Sequence, residues 1–385
     1  MNAIVVGEIG LALILLISVG LLLRAFHKVQ AVDPGFRTSG ILTYRISLPS
    51  PQYEKRHRRQ AFFAQHLERI RALPGVESAS LIQNAPLSGH TGYFFQAEGA
   101  AERRPDEDGP VVLTRIVMPG YFETMGVKLC AGRFFTEQDM TQDSEPTVIV
   151  NQTFAQYFWP NESPVGKRIA NDDSDNWMRV IGVTQDVKHY GFDRDMRPGV
   201  YLPYVERACE SDMMAIVRTS GDPFSLVSSV REIVRSTDPG LPICDVQTMA
   251  QRIQSHEFMW VRRTYTWLFG IFGGIAAIMA VSGIYGVIAY SVGQRTQEIG
   301  VRMALGARSG DVLKAVLGQG LKLTLIGVVI GLAGALALTR VISSLLYDVS
   351  PTDPLTFVCV SLVLAGVALL ASYIPARRAA RIDPM

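Results

Sequence analysis

The segment Gln294–Gly320, with the sequence QRTQEIGVRMALGARSGDVLKAVLGQG, lies between two long apolar stretches. Glu298 and Arg302 are four residues apart, which is the spacing at which opposite charges meet on one face of a helix. Ile299 and Met303 have the same spacing on a neighbouring face, and the glycine that closes this run is typical of a helix end. The segment therefore predicts a short surface helix that a tight turn joins to the start of a membrane-spanning helix.

The chain has 385 residues, of which 48% are hydrophobic and only 19% are charged. This composition is typical of a membrane protein with a large water-exposed part, and it fits neither a disordered chain nor an ordinary soluble enzyme. The net charge of +2 gives no indication of nucleic-acid binding. The four cysteines form no CxxC pair, so the sequence predicts neither a zinc site nor a disulfide framework.

Four stretches are long and apolar enough to cross a bilayer core of about 30 Å, which takes about 20 helical residues. We predict transmembrane helices over residues 1–23, 264–290, 310–339 and 355–374. The first stretch could instead be a secretory signal. It has no basic residue ahead of its apolar core, it carries Glu8 and it lacks a small-residue cleavage site, so we interpret it as an anchor.

Basic residues in the short connections predict the orientation of these spans. They cluster between the second and third spans and in the C-terminal tail: Arg295, Arg302, Arg308, Lys314, Lys322, Arg377, Arg378 and Arg381. Both termini and Gln294–Gly320 are therefore expected in the cytoplasm, with residues 24–263 outside. Arg24, Lys28 and Arg37 flank the outer side, but large translocated domains follow the charge rule weakly. We expect a multi-pass protein of the inner (cytoplasmic) membrane, surrounded by membrane lipids.

Two pairs of glycines, Gly270 with Gly274 and Gly327 with Gly331, form GxxxG patterns inside the spans and predict close helix packing. The sequence leaves open whether each pair packs within the chain or forms a dimerisation face. The second, third and fourth spans contain no Asp, Glu, Lys, Arg or His. Because ion-coupled transporters keep such groups near the midplane, a polar substrate is not expected to pass between these helices.

The roughly 240 residues between the first two spans are enough for one large or two small domains. Alternation of apolar and polar residues predicts two β-α-β units, one in residues 41–88 and one in residues 213–250. Their predicted elements are strand Leu42–Leu48, helix Gln52–Leu73, strand Val76–Ile82, strand Met213–Arg218, helix Pro223–Ser236 and strand Leu241–Val246. The units bracket an insert, residues 89–204, that is richer in turns and short strands.

The outer region shows no enzyme signature, since GxSxG, HExxH and paired-cysteine spacings do not occur. Gly166-Lys167 fails as a nucleotide-binding P-loop, because Asn161 stands where the first glycine is required and Arg168 where Ser or Thr is required. Asp186 and His189 are three residues apart near a glycine, a pattern that more often has a structural role than a catalytic one. We therefore predict no catalytic residue and no metal site.

Four stretches resemble a known family. They are Glu298–Ala307 (EIGVRMALGA), the preceding GIYGVIAY, the outer stretch Pro119–Asp139 and the closing Ser372–Met385. Together they are similar to the FtsX/MacB-type ABC transporter permeases over essentially the whole chain. The resemblance implies a MacB-like periplasmic core in residues 24–263, with a porter-like subdomain in 41–88 and 213–250 and an inserted subdomain in 89–204, followed by an FtsX-like permease domain in 264–385. The expected fold class is an α-helical membrane protein with four transmembrane helices and a large α+β extracytoplasmic domain.

The resemblance also implies a site. Residues 294–305 would form the coupling helix that docks on a cytoplasmic ABC ATPase, and the residues expected to serve it are Gln294, Glu298, Ile299, Gly300, Arg302, Met303, Ala304, Leu305, Gly306 and Ala307. ATP and Mg would be bound by that partner and no cofactor by this chain. The chain looks like one half of a double-length permease without an ATPase domain, so a homodimer or a pairing with a second permease half is expected, with a periplasmic adaptor as a further partner.

These features predict a non-catalytic permease subunit that transmits ATP-driven motion to an extracytoplasmic domain, for efflux or export of drugs, peptides or lipoproteins. The alternative is an FtsX-like regulator that activates extracytoplasmic partners such as cell-wall hydrolases; the large outer domain favours the first interpretation. A membrane-anchored enzyme is a third possibility, without any motif to support it.

Overall fold

The computed structural model describes residues 2–100, 109–141, 145–171, 176–205, 210–294, 309–341 and 349–379. The chain forms two compact units. The membrane unit comprises Met1–Val32 and Trp260–Met385, and the outer unit comprises Asp33–Met259. The first helix, α1 (Asn2–Gln30), belongs to the membrane unit and precedes the outer unit in the chain.

The outer unit alternates short strands and helices. In chain order they are β1 (Ile41–Ser47), α2 (Arg56–Arg71), β2 (Val76–Ile82), β3 (Gly92–Tyr93), β4 (Phe95–Ala97), β5 (Val112–Val117), α3 (Tyr121–Met125), β6 (Leu129–Gly132), β7 (Thr147–Asn151), α4 (Gln152–Phe158), β8 (Arg168–Asn171), β9 (Met178–Thr184), β10 (Gly199–Pro203), β11 (Asp212–Thr219), α5 (Val227–Thr237), β12 (Ile243–Thr248) and α6 (Met249–Ser255). Short 3-10 turns cover Glu137–Met140 and Pro223–Leu226.

The described strands belong to one sheet with the order β12-β1-β11-β2-β5-β10-β7-β9-β8-β4. In addition, β3 pairs with β5, and β6 pairs with β9. At one end, β12, β1, β11 and β2 are antiparallel neighbours. The helices α2 and α5 each connect two of these strands, so this end is a split β-α-β arrangement. It is built from the two β-α-β units that the sequence predicts.

The strands of the insert extend this same sheet. The junction is narrow, because β2 and β5 pair only at Ile82 and Val117. On the far side, a core packs around Phe95, Val148 and Phe154. The insert therefore has its own core but shares its sheet with the two β-α-β units.

Two helices of the outer unit begin later than the sequence predicts. The helix expected from Gln52 begins at Arg56, since the residues before it form a turn in which the Tyr53 amide donates to the Pro49 carbonyl at 3.2 Å. The helix expected from Pro223 begins as a 3-10 turn, which Asp222 caps by accepting from the Phe224 amide at 3.1 Å.

The membrane unit contains α1 and three further helices, α7 (Glu257–Gln294), α8 (Ser309–Val341) and α9 (Pro354–Ala379). Among the described residues, these four helices are long and apolar enough to cross a membrane. At 1.5 Å per residue, α7 is about 57 Å long and α8 about 50 Å, so both exceed the bilayer core of about 30 Å. The four helices and the large outer unit of strands and helices confirm the predicted fold class.

Candidate functional site: the interface of the transmembrane helices

The predicted coupling helix falls almost wholly outside the described part of the chain. Gln294 is the last residue of α7, and its side-chain amide donates to the Tyr290 hydroxyl at 2.7 Å. The other predicted members lie outside the described residues: Glu298, Ile299, Gly300, Arg302, Met303, Ala304, Leu305, Gly306 and Ala307. The structure does describe both flanking helices, since α7 ends at Gln294 and α8 begins at Ser309.

The helix α8 packs on α1 through the predicted glycine pair Gly327 and Gly331. A Cβ atom built on Gly327 would lie 2.7 Å from the Ile9 Cβ, and one built on Gly331 would lie 2.9 Å from the Gly10 carbonyl oxygen. Real Cβ atoms essentially never approach so closely, so the two backbones touch only because both positions are glycine. The partner glycine on α1, Gly10, was not predicted from the sequence.

The other predicted pair, Gly270 and Gly274, has no such contact. A Cβ built on either residue would meet no described atom within 4 Å. The contact of α7 with α1 instead uses Gly273, where a Cβ would lie 3.3 Å from Leu16. Since Gly270 and Gly274 face away from the described part of the bundle, packing against another chain remains a prediction for them.

Glu8 of α1 lies at the inner half of the bundle against Gly283 of α7. Its Oε2 atom is buried and has no hydrogen-bond partner among the described residues. Because Gly283 has no side chain, it leaves room for the Glu8 carboxyl group within the helix interface. The sequence identified Glu8 as an unusual residue for a span but gave no sign of its neighbour on α7.

The expected cytoplasmic ends of α7, α8 and α9 meet at Gly320. A Cβ on Gly320 would lie 2.5 Å from the Ser372 hydroxyl of α9 and 2.8 Å from the Ile288 side chain of α7. Gly320 is the last residue of the segment Gln294–Gly320, yet its packing role was not predicted from the sequence. The site is therefore a close-packed junction within α8, the helix that follows the predicted coupling helix.

At the opposite end of the bundle, an ion pair connects two segments of the chain. Arg24, near the end of α1, forms an ion pair with Asp353, which precedes α9. Asp353 also accepts from the Thr356 hydroxyl at 2.6 Å and the Thr356 amide at 3.0 Å, so it caps the first turn of α9. These Thr356 contacts, together with Arg24, lower the pKa of the Asp353 carboxyl below its usual range. The ion pair brings together two segments that the charge pattern assigns to the outer side.

Candidate residues of the outer unit have structural contacts. Asp186 accepts from the Thr153 amide at 3.0 Å and so stabilises the start of α4, while His189 pairs with the Tyr201 hydroxyl at 3.1 Å. The aromatic residues around α3 are core residues, as Phe122 stacks on Phe134 with ring centroids 4.8 Å apart.

Comparisons with known proteins agree with this architecture. A family model described as the MacB-like periplasmic core domain matches residues 3–235, and one described as the FtsX-like permease C-terminal region matches residues 270–384. The chain is 27% identical over 265 residues to a macrolide export ATP-binding/permease protein MacB of Marinobacter nauticus, covering 66% of this chain and 39% of that protein. It is 30% identical over 285 residues to a MacB protein of Rhodopseudomonas palustris, covering 69% of this chain and 41% of that protein.

The chain is also similar to a solved structure. That structure is the periplasmic region of MacB from Actinobacillus actinomycetemcomitans, with 15% identity and a TM-score of 0.40 over 59% of this chain and 97% of that one. The chain spans about two fifths of the length of the curated relatives it matches. Since a MacB-like periplasmic core model matches more than half of the chain and an FtsX-like model matches its C-terminal part, the protein belongs to the MacB/FtsX-type ABC transporter permeases.

Proposed function

We propose that this chain is a non-catalytic permease subunit, which transmits conformational change from a separate cytoplasmic ATPase to its own extracytoplasmic unit. The observation that carries the proposal is the glycine-mediated contact of α8 with α1. The predicted coupling helix directly precedes α8, and α1 directly precedes the outer unit in the chain. A displacement of the coupling helix therefore has a continuous, packed route along α8 and α1 towards the outer unit.

Tight packing supports this route. Where two helix backbones touch, one helix cannot move sideways without displacing the other, because protein interiors are dense and deform little. Gly10 and Gly331 supply such a contact between α1 and α8, and Gly320 lets the side chains of Ser372 on α9 and Ile288 on α7 pack closely on the α8 backbone. The bundle therefore favours joint movement of its helices over the opening of a polar path between them.

The energy source is proposed to be a partner chain. The sequence has no P-loop, so ATP and Mg would bind to an ABC ATPase subunit that docks on residues 294–305 in the cytoplasm. We place the protein in the inner (cytoplasmic) membrane as a homodimer, or paired with a second permease half, with a periplasmic adaptor as a further partner. The relatives named macrolide export proteins support efflux or export, with drugs, peptides or lipoproteins as the substrate classes.

Co-purification with the cognate ATPase tests the docking step. The variant I299D/M303D places two charges on the proposed contact face and is expected to lose the ATPase. The matched variant I299L/M303L keeps the face apolar and is expected to retain it. Equal recovery of the ATPase with both variants, at equal levels of membrane insertion, would show that this face does not dock the motor.

A second function, that of a regulator that activates extracytoplasmic hydrolases, draws support from the FtsX-like match at residues 270–384. Deletion of the gene distinguishes the permease function from the regulator function. Loss of export would support the permease function, and a cell-separation defect with normal export would support the regulator.

A further inference from the structure

Arg115 lies in β5, in the interior of the outer sheet, and its side chain is fully buried, with 0% exposure. Its pairing partner on β10 is Tyr201. The guanidinium group contacts neutral acceptors: Nη1 donates to the Thr114 carbonyl at 3.3 Å, and Nη2 donates to the Gly89 carbonyl at 2.6 Å. A longer contact of 3.5 Å joins Nη2 to Nδ1 of His90.

These contacts leave the charge of Arg115 uncompensated. Its Nε atom is buried without a hydrogen-bond partner among the described residues. The ion pairs found within the described ranges do not include Arg115. Arginine stays protonated in proteins, and a buried charge without a counter-charge is strongly destabilising. A negative group is therefore expected beside Arg115.

Among the described residues, the titratable groups beside Arg115 do not supply that negative charge. Burial, followed by the charge of Arg115, lowers the pKa of His90 to about 4 and the pKa of His189 well below its usual value, so both rings are neutral near pH 7. His189 contacts the Tyr201 hydroxyl through Nε2, while its Nδ1 atom is buried without a partner among the described residues. The buried cluster thus carries one positive charge, that of Arg115.

A small cavity adjoins the guanidinium group. Its lining includes Asn151 and Tyr201 as neutral polar groups and Arg115, Lys188 and Arg197 as cationic groups. The free volume is about 10 Å³, which is the space that one water-sized particle needs. Asp195 also lines the cavity, but it is an exposed residue and forms no ion pair with Arg115. The positive charges of the lining outnumber this single carboxylate.

We propose that a small monovalent anion of the size of chloride occupies this cavity and neutralises Arg115. The small cavity volume excludes large anions, and the single negative charge follows from the single buried cation. The bound anion would link β5 and β10 to the loop that carries His189, and would thereby stabilise the insert. This site is independent of the proposed coupling to an ATPase.

Thermal unfolding of the purified full chain in detergent tests the proposal. Sodium chloride and sodium bromide are compared with sodium gluconate, whose anion is too large for the cavity, at constant ionic strength. The small anions are expected to raise the unfolding temperature of the outer unit in a saturable manner, by about 5 °C at a hundred times the Kd. Equal unfolding temperatures in the three salts would overturn the proposal.

Two variants and one control assign the effect to this site. R115M removes the buried charge and is expected to abolish the difference between small and large anions. R197Q changes an exposed lining residue, so it keeps the fold and is expected to raise the half-saturating chloride concentration several-fold. R231Q changes an exposed arginine of α5, outside the cavity, and is expected to have no effect. An equal effect of R197Q and R231Q would indicate general charge screening and would contradict a specific site.

Anomalous diffraction from crystals grown in bromide gives a direct readout that does not depend on the folding of R115M. A bromide peak within about 3.5 Å of the Arg115 guanidinium nitrogens is expected. Absence of a peak there, in crystals that show bromide elsewhere, would overturn the proposal and would indicate a water molecule instead.

Discussion

Gly331 of α8 lies directly against Gly10 of α1, so closely that a Cβ atom on Gly331 would lie 2.9 Å from the Gly10 carbonyl oxygen. A side chain at this position must separate the two helices. G331L is therefore expected to destabilise the bundle by about 1–3 kcal/mol, as overpacking does in other cores, and to reduce export. Thermal unfolding of the detergent-solubilised protein measures the first effect. The control G366L adds the same side chain to α9 at a position with no described neighbour within 4 Å; equal destabilisation by both variants would contradict a specific contact.

A second prediction concerns the two roles of Asp353. As the cap of α9 it is expected to contribute about 1 kcal/mol, whereas its ion pair with Arg24, whose side chain is 41% exposed, is expected to contribute little. D353A should therefore destabilise the bundle clearly more than R24A does. D353N retains the capping acceptor and should behave like R24A. If R24A lowers the stability as much as D353A does in thermal unfolding, the ion pair and not the cap stabilises this end of the bundle.

The third prediction is a pH dependence of the outer unit. Burial alone would raise the pKa of the Asp139 carboxyl, but hydrogen bonds from Arg133 at 2.7 Å and from Thr136 lower it to about 2, from an ordinary value of 3.8. Because the folded state favours the ionised form, this group stabilises the protein above about pH 4, and its contribution is lost as the pH falls from about 4 to 2. The loss amounts to at most about 2 kcal/mol.

The variant D139N isolates this contribution. The difference in the free energy of unfolding between wild type and D139N should have its full value at pH 5 and should shrink as the pH is lowered towards 2. E232Q, on the exposed side of α5, should show no such convergence. A difference between wild type and D139N that stays constant with pH would mean that the charge of Asp139 is not what stabilises the contact.

The fourth prediction concerns the face of α7 that carries Gly270 and Gly274. Since this face has no described neighbour within the chain, we expect it to contact a second copy or a second permease half. G270I/G274I should reduce cross-linking between copies in the membrane, while G286I, at another glycine of α7 without a described neighbour, should not. Unchanged cross-linking of G270I/G274I would show that other helices form the dimer interface.

The sequence predicted the elements better than their contacts. Hydropathy located the four spans, and alternation gave β2 at Val76–Ile82, the bounds that the structure has. Such periodic signals are local, so they can be read from a single chain. The GxxxG pattern showed which glycines permit close packing but not which helix they face, and Gly273 rather than Gly270 contacts α1.

The buried cation could not be predicted at all. Arg115 lies in the stretch VLTRIV, and arginine is mostly exposed in proteins, yet each residue of β5 is buried in the interior of the sheet. Burial of this kind depends on sheet order, which is a tertiary property. Residues 298–307 are the reverse case, because the sequence predicts their role and the structure does not describe them. Their motif is the most specific in the sequence.

The proposed function requires motion to pass from a separate motor to the outer unit of this chain. Electron spin resonance distances between copies labelled at E232C, an exposed position of α5, measure this motion in membranes that contain the cognate ATPase. ATP is expected to change this distance when the ATPase is present, and I299D/M303D is expected to abolish the change. An unchanged distance with ATPase and ATP, or a change with ATP in the absence of the ATPase, would contradict it.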